Sequence, residues 1–568
     1  MSRLYSLLPA FLAALLALAP CVQAQEQPEA LLNYESVHHP VISTTGLVVS
    51  QNDIASRVGA DILARGGNAV DAAVATGFAL AVTLPRAGNL GGDGFMLVYV
   101  AAEGRTYALD YRSVAPLAAK PALYDQEPRD ARYGYRASGV PGSVAGLAHA
   151  HARWGRLPWA ELIEPARKLA ADGVTLSHDS AYALSWSKDV LGHWEAGRGI
   201  FLQTGGAPWR PGDTLVQSDL AWTLGEIQRD GADAFYRGAV ADRIVASMQA
   251  HGGLITHEDL ARYQPIERAP IETEYRGHRV VTMPPSSAGG VMLLELLNLV
   301  ERFDLKAMGA DTAASLHVMS EAMKLAQLDR TRYIGDPDFS TLPTAQLTSQ
   351  AYADRRSSLI STDSLLPAPS LVPGDPWEVE GIDTTHFSVV DSEGNAVSNT
   401  YTLGSSFGSG AVVDGAGFLL NDQMKNFNRR MRADGRPVTA NGMEPGKRMI
   451  STMAPTIVFQ DGRPWLVTGT PGGSTIPNSL FQLIVNTVDH GMNLAEATTT
   501  PRVHQDGATG DLQVESGLNR DTIRLLEALG HKVVVGQTIG SSQSILIGDG
   551  MLMGAADPRR PDSAAIMP

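Results

Sequence analysis

Cysteine is almost missing: the 568 residues contain one, Cys21. Once the leader described next is removed, none remains. That excludes disulfides, a thiol nucleophile and a cysteine metal site. Positive charge is also scarce. Lys+Arg number 45 against 60 Asp+Glu, a net charge of −15, and such a surface repels a phosphate backbone, so no nucleic-acid partner is expected. Long apolar runs are confined to the N-terminus. Met1–Arg3 is positive, Leu4–Ala19 is apolar, and Val22-Gln23-Ala24 offers the small residues a signal peptidase reads. Residues 1–24 are therefore expected to form a signal peptide cut after Ala24. The stretch contains Pro9 and falls short of the roughly 20 residues a membrane span needs; a lipoprotein cut before Cys21 is disfavoured by Pro20. No later run is long enough, so the expectation is a soluble exported protein, periplasmic or secreted, with no membrane span.

What is present is an ordinary globular composition, 44% hydrophobic and 18% charged, which rules out intrinsic disorder. The length predicts two or three domains or one large fused unit. Fifty-seven glycines without a G-X-Y period signal tight turns rather than collagen. Periodicity predicts a helix over Asp53–Arg65, a buried helix over Ala69–Val82, a glycine loop at Asn89–Gly94 and a strand over Phe95–Val100. Residues 157–333 read mostly as amphipathic helix, most clearly at Val291–Val300 and Ala314–Asp329. Ser357–Glu380, rich in Ser, Pro and Asp, reads as an exposed connector. Hairpins follow: Thr385–Asp391 with Ala396–Thr402, Met453–Gln460 with Trp465–Gly469, and Ser544–Gly548 with Met551–Gly554. Helices at Pro477–Val488 and Thr522–Leu529 lie between them. The pattern predicts a layered α+β architecture whose sheets are covered by helices.

Several motifs suggest chemistry and fail on context. Gly404–Gly408 fits G-x-S-x-G, but extended chain follows instead of the helix a serine elbow opens. His149 and His151 stand two apart, which on a helix points them to different faces, and no carboxylate completes a site, so no metal is expected. Gly91–Gly94 and Gly472-Gly473 lack the Gly-Lys-Ser/Thr of a P-loop, and no cofactor is expected. Gly472-Gly473 has another use: between a strand and a helix, two free backbone amides can form an oxyanion hole. Asp383-Thr384-Thr385-His386 stands where the connector meets the first hairpin. A threonine becomes a nucleophile when its own α-amino group is free to act as base, and cutting Asp383–Thr384 would free it. The hairpin returns Thr402 to within about one residue of the level of Thr384, where the two hydroxyls can share a hydrogen bond.

In order along the chain stand GNAVDAAVA (Gly67–Ala75), AGNLGGDGFML (Ala87–Leu97), GVPGSVAGL (Gly139–Leu147), PPSSAGG (Pro284–Gly290), EAMKLAQLDRTRYIGDPDF (Glu321–Phe339), TTHFSVVDSEGNAV (Thr384–Val397), LLNDQM (Leu419–Met424) and TGTPGGS (Thr468–Ser474). Together they resemble the γ-glutamyltranspeptidase (glutathione hydrolase) family over nearly the whole mature chain. The resemblance implies an N-terminal nucleophile hydrolase with a four-layer αββα sandwich. It implies a precursor cut before Thr384 into a large subunit, 25–383, and a small one, 384–568, which stay together as a heterodimer. Thr384 would attack the γ-glutamyl carbonyl of glutathione and related donors, with Thr402 positioning its hydroxyl and Gly472 and Gly473 holding the oxyanion. Water or an amino acid would take the acyl group. Arg112 would grip the glutamyl α-carboxylate, a suitable match for a guanidinium fork, with Ser451 and Thr452 on the same group and Gln423 near the donor's α-amino group.

Three positions depart from the family pattern. Ser113 replaces the usual Glu, Gly404 the usual Asn, and Asn426 the Asp that pairs with the donor's ammonium. Losing a charge-assisted bond worth about 1.5–3 kcal/mol should relax selection for the amine. That keeps a second reading open, a glutaryl or cephalosporin acylase on the same fold. A third is a binding protein for amino acids that never matures. The segment Asn428–Gly446, corresponding to the family's lid, contains no tyrosine and should close less tightly.

Overall fold

The computed structural model describes residues 36–125, 127–367, 383–507 and 510–568. The expected signal peptide, with Cys21, and residues 368–380 of the connector lie outside the described residues.

Two seven-stranded antiparallel sheets lie face to face. The first runs, edge to edge, through Ala564–Ile566, Gly46–Ser50, Asp383–Asp391, Ala396–Gly404, Asp93–Val100, Arg105–Tyr111 and Ile266–Arg268. The second runs through Val41–Ser43, Met551–Ala556, Gln543–Gly548, Arg463–Thr468, Thr456–Gln460, His278–Thr282 and Ile271–Tyr275. Successive side chains of a strand point to opposite faces, and here both faces are dry. In Asp93–Val100, Met96 and Val98 pack with helices Asp53–Ala64 and Ala69–Thr83. Phe95, Leu97 and Tyr99 pack inward with Val281 and Ile457 of the second sheet. Helices Ala288–Val300, Ala313–Tyr333 and Ile476–Val488 cover that sheet's other side. The result is the expected helix–sheet–sheet–helix sandwich.

Local chemistry sets the elements. Ala69–Thr83 begins at a capping box in which Asn68 accepts from Val70 and Asp71 while the Asp71 carboxylate accepts from Asn68, satisfying amides the helix cannot. The hairpins turn at Asp461-Gly462 and Asp549-Gly550, with positive φ at all four residues, the two-residue geometry that suits twisted strands.

Two expectations need correction. Residues 157–333 are mostly helix as expected but also hold strands, of which three, Ile266–Arg268, Ile271–Tyr275 and His278–Thr282, serve the two large sheets. The clue was the alternation of Ile271, Thr273 and Tyr275 before the turn at Arg276-Gly277. Ala288–Val300 is buried along its whole length rather than amphipathic, because sheet, helix and loop enclose it. The strand expected from Phe95 starts at Asp93, and that from Met453 starts only at Thr456.

Candidate active site

Thr384 and Thr402 are direct partners in the register of two central strands. Thr384 Oγ1 donates to Thr402 Oγ1 at 3.1 Å, and the Gly404 amide donates to the same oxygen at 2.8 Å. Both threonines are buried. The loop before Asp93 backs them closely: a Cβ on Gly92 would meet the Thr402 carbonyl oxygen at 2.0 Å. So the Gly91–Gly94 run serves close packing against the Thr384–Thr402 hairpin.

Thr384, His386 and Ser388 share the face turned to the second sheet. The His386 ring bonds Thr400 Oγ1 at 2.8 Å and Ser388 Oγ at 3.1 Å. Burial pushes its pKa down to about 3, so the ring is neutral. A Cβ on Gly469 would lie 2.2 Å from that ring, so the loop after strand Arg463–Thr468 rests on it. This loop reaches Gly472 and Gly473 and then enters helix Ile476–Val488. Among the described residues, neither Gly472 nor Gly473 donates its N–H within the chain.

Arg112 is wholly buried, and its fork is largely filled. Nη1 pairs with Asp93 at 2.5 Å; Nη2 donates to Gln423 Oε1 and to the Ile450 carbonyl, each at 2.9 Å; Nε donates to the Met449 carbonyl at 3.1 Å. Asp93 lies opposite Thr402 in the sheet and accepts also from the Ser113 amide at 3.1 Å. Burial raises the pKa of Asp93 despite the pull of Arg112. Sequence reasoning passed over Asp93. Its one signal was an acid within an apolar Gly-Gly-Asp-Gly-Phe run.

Asn426 Nδ2 donates to Gln423 Oε1 at 2.7 Å, while its buried Oδ1 has no partner among the described residues. Nearby, Lys425 Nζ donates to Asp422 at 2.8 Å and to Ser405 Oγ at 2.6 Å, and the Ser405 amide donates to Asp422 Oδ1 at 2.9 Å. Ser451 Oγ accepts from the Met453 amide at 3.1 Å, and Thr452 Oγ1 donates to the Gly473 carbonyl at 2.7 Å. The structure thus gathers Arg112, Gln423 and Asn426 into one network, and joins Thr452 to the Gly472-Gly473 loop. At the base of the Asn428–Gly446 segment, the Asn441 side chain donates to the Asn426 carbonyl at 2.6 Å and accepts from the Ile450 amide at 3.1 Å.

His149 and His151 serve separate partners, Glu267 and the Leu157 carbonyl. Among the described residues, one cluster with metal-ligand chemistry stands elsewhere: His317, Glu321 and His531, their ligand atoms within 4.8 Å of one another. Its charges are already matched. Lys324 Nζ holds Glu321 at 2.7 Å, and His317 bonds His531 at 2.8 Å, so a cation would have to displace an ammonium.

Two stacked antiparallel sheets between helical layers, with a threonine near the start of a central strand, define an N-terminal nucleophile hydrolase fold. The Gamma-glutamyltranspeptidase family model matches residues 55–567, and the chain belongs to that family. It is 45% identical over 542 residues to the glutathione hydrolase proenzyme of Escherichia coli (strain K12), covering 93% of each. It is 36% identical over 530 residues to the acylase ACY 1 proenzyme of Pseudomonas sp. (strain SE83), covering 91% of this chain and 92% of the relative. The cephalosporin acylase structure from Bacillus halodurans superposes with a TM-score of 0.85 at 31% identity, covering 95% of this chain and 99% of that one. The Helicobacter pylori gamma-glutamyltranspeptidase structure does so with a TM-score of 0.56 at 38% identity, covering 62% and 99%. No helix among the described residues is long and apolar enough to cross a membrane.

Proposed function

We propose that the chain is an exported precursor that loses residues 1–24 and cuts itself between Asp383 and Thr384. The mature pair, 25–383 and 384–568, transfers γ-glutamyl groups from glutathione and similar amides to water or to an amino acid. One observation carries this: in a chain of this family, Thr384 stands one residue into a central strand with its hydroxyl on Thr402 at 3.1 Å. In maturation the Thr384 hydroxyl adds to the Asp383 carbonyl. The C–N bond breaks to leave an ester and a free α-amino group, and water hydrolyses the ester. In turnover that amino group takes the hydroxyl proton as Oγ1 attacks the γ-carbonyl. The oxyanion is met by the Gly472 and Gly473 amides. The proton passes to the leaving amine, and the glutamyl ester then yields to water or an acceptor amine. Arg112 and Ser451 receive the donor's α-carboxylate, which takes over the N–H now given to Gln423 and the one left open beside Asp93. Gln423 and Asn426 face its α-amino group.

Thr384→Ala is the test. The expected outcome is one band on a denaturing gel where the parent gives two, and no release from a γ-glutamyl anilide. A Thr384→Ala protein that still splits at Asp383–Thr384 would remove the mechanism. The proenzyme relatives, with Thr384 and Thr402 both in place, weigh against a binding protein that never matures. A glutaryl-accepting site remains the second reading, favoured by the amide at Asn426 where a carboxylate is usual.

A further inference from the structure

Thr452 follows Ser451, beside the carbonyls that hold Arg112, and its hydroxyl has a partner of another kind. Oγ1 donates to the Gly473 carbonyl at 2.7 Å. The loop it touches is held in part from within: the Gly472 carbonyl accepts from the Thr475 amide at 3.2 Å and from Thr475 Oγ1 at 2.9 Å, and the Gly473 carbonyl accepts from the Ile476 amide. Gly472 has a φ of +137°, a conformation that only glycine adopts without strain, and Gly473 has a φ of +59°, in the left-handed region that favours glycine. The Thr452 hydroxyl is a second hold on the Gly473 carbonyl, from outside the turn.

Thr452 itself stands on an immobile base. Ser451 bridges Ser287, and the Ser451 carbonyl accepts from Ala288 at 2.7 Å and Gly289 at 3.3 Å. A Cβ on Gly289 would meet the Thr452 carbonyl oxygen at 1.9 Å. The start of helix Ala288–Val300 is thus seated directly on this backbone. The far end of the loop is held too. Gly469 lies against the His386 ring and accepts from the Gln543 amide at 3.1 Å, and Thr470 Oγ1 accepts from the Ser541 amide at 2.8 Å. A hydroxyl on so fixed a backbone cannot follow a substrate, but it can hold a carbonyl and, through it, the direction of neighbouring amides.

We infer that Thr452 is a positioning residue for the oxyanion loop: it orients Gly473, and with it the Gly472 and Gly473 N–H groups, rather than binding the donor's carboxylate. The inference rests on the proposed function, which makes those two amides the oxyanion hole. An interaction felt mainly in the transition state moves kcat, whereas a substrate-carboxylate ligand moves KM.

Thr452→Val removes the hydroxyl and keeps the shape. With a γ-glutamyl anilide, kcat should fall about tenfold or more while KM stays within about twofold, and Thr452→Ser should restore most of the rate. Two inhibitors separate the roles further. Free glutamate carries the same α-carboxylate but a planar γ-group. A γ-boronic acid analogue of glutamate adds to the threonine hydroxyl and sets a tetrahedral oxygen in the hole. Thr452→Val should weaken the boronate about tenfold or more and leave glutamate within about twofold. If Thr452→Val gives no folded protein, Thr452→Cys, a weaker donor of similar size, takes its place with the same expectation. A raised KM at constant kcat, with glutamate and boronate weakened alike, overturns the inference and puts Thr452 on the carboxylate. A parent protein that turns over no γ-glutamyl donor sinks the proposed function instead.

Discussion

At Gly404 the backbone φ is +101°, and a Cβ would stand 2.0 Å from Asp422 Oδ1. Asp422 cannot yield easily, because Lys425 and the Ser405 amide both hold it. The missing asparagine is thus part of a local rearrangement and not a simple loss. Gly404→Asn should destabilise the protein by about 2 kcal/mol or more through strain and overlap, read from urea midpoints, without sharpening selection for the donor's amine. Asn426 differs. Its Oδ1 is a buried acceptor with no partner among the described residues, so it can take one hydrogen bond from an ammonium but cannot neutralise its charge. Asn426→Asp should raise kcat/KM for γ-glutamyl relative to glutaryl anilides by about tenfold, the scale of one charge-assisted bond. If both donors shift equally, position 426 does not face the α-amino group. The loss of the Nδ2 bond to Gln423 sets a ceiling on the gain.

Hairpins and helices join through a few buried acids. Asp391, at the end of the nucleophile strand, accepts from the Glu393 and Asn395 amides on one oxygen, and from the Ala69 amide and Asn395 Nδ2 on the other, all at 2.8–2.9 Å. It therefore shapes the turn that sets the Thr384–Thr402 register and also caps helix Ala69–Thr83. Asp391→Ala would strand several buried donors. It should cost about 3 kcal/mol or more in stability, given about 1–3 kcal/mol per unsatisfied group, with kcat of the folded fraction held within about twofold. Unchanged stability would mean that water replaces the carboxylate. Of the elements, the three hairpins and the helices at 53, 69 and 476 were readable because turn residues and caps are local signals. The strands between Ile266 and Thr282 were not read, since short strands inside a helical stretch, two of them at sheet edges, carry weak periodicity.

At the scale of the molecule, the two expected subunits share both sheets. Strand Asp383–Asp391, all but its first residue in the expected small subunit, and strand Ala396–Gly404 lie between Gly46–Ser50 and Asp93–Val100 of the large one. Cleavage at Asp383–Thr384 would remove only the first pair, Asp383 with Gly404, from the ladder and leave the pairs from Thr384 to Val390 in place, which would keep the two pieces together. Acid should loosen the whole. His386 and His531 have pKa values pushed down to about 3, chiefly by burial, against about 6.5 unfolded. Below pH 6.5 the unfolded chain takes up protons that these rings refuse, so stability falls with pH by about 1.4 kcal/mol per unit for each ring. Above pH 6.5 neither contributes a slope. Urea midpoints should drop between pH 6.5 and pH 4, and His386→Gln should flatten that drop. An identical slope in His386→Gln would show that other groups control acid sensitivity.

Sequence alone determined that Thr384 and Thr402 meet, because a four-residue turn fixes which residues of a hairpin face each other and so brings Thr402 level with Thr384. It also determined the layered α+β class, through local periodicity, caps and turn residues. Only the tertiary structure decided the environment of Arg112. Its partners Asp93, Gln423, Met449 and Ile450 come from strands and loops up to 338 residues apart, and no local pattern records which donors a buried guanidinium will meet. The same holds for Thr452 on Gly473 and for Asp422 in the space beside Gly404. Such contacts are made by how two sheets and their loops stack, and stacking follows from the burial of whole faces rather than from any one segment.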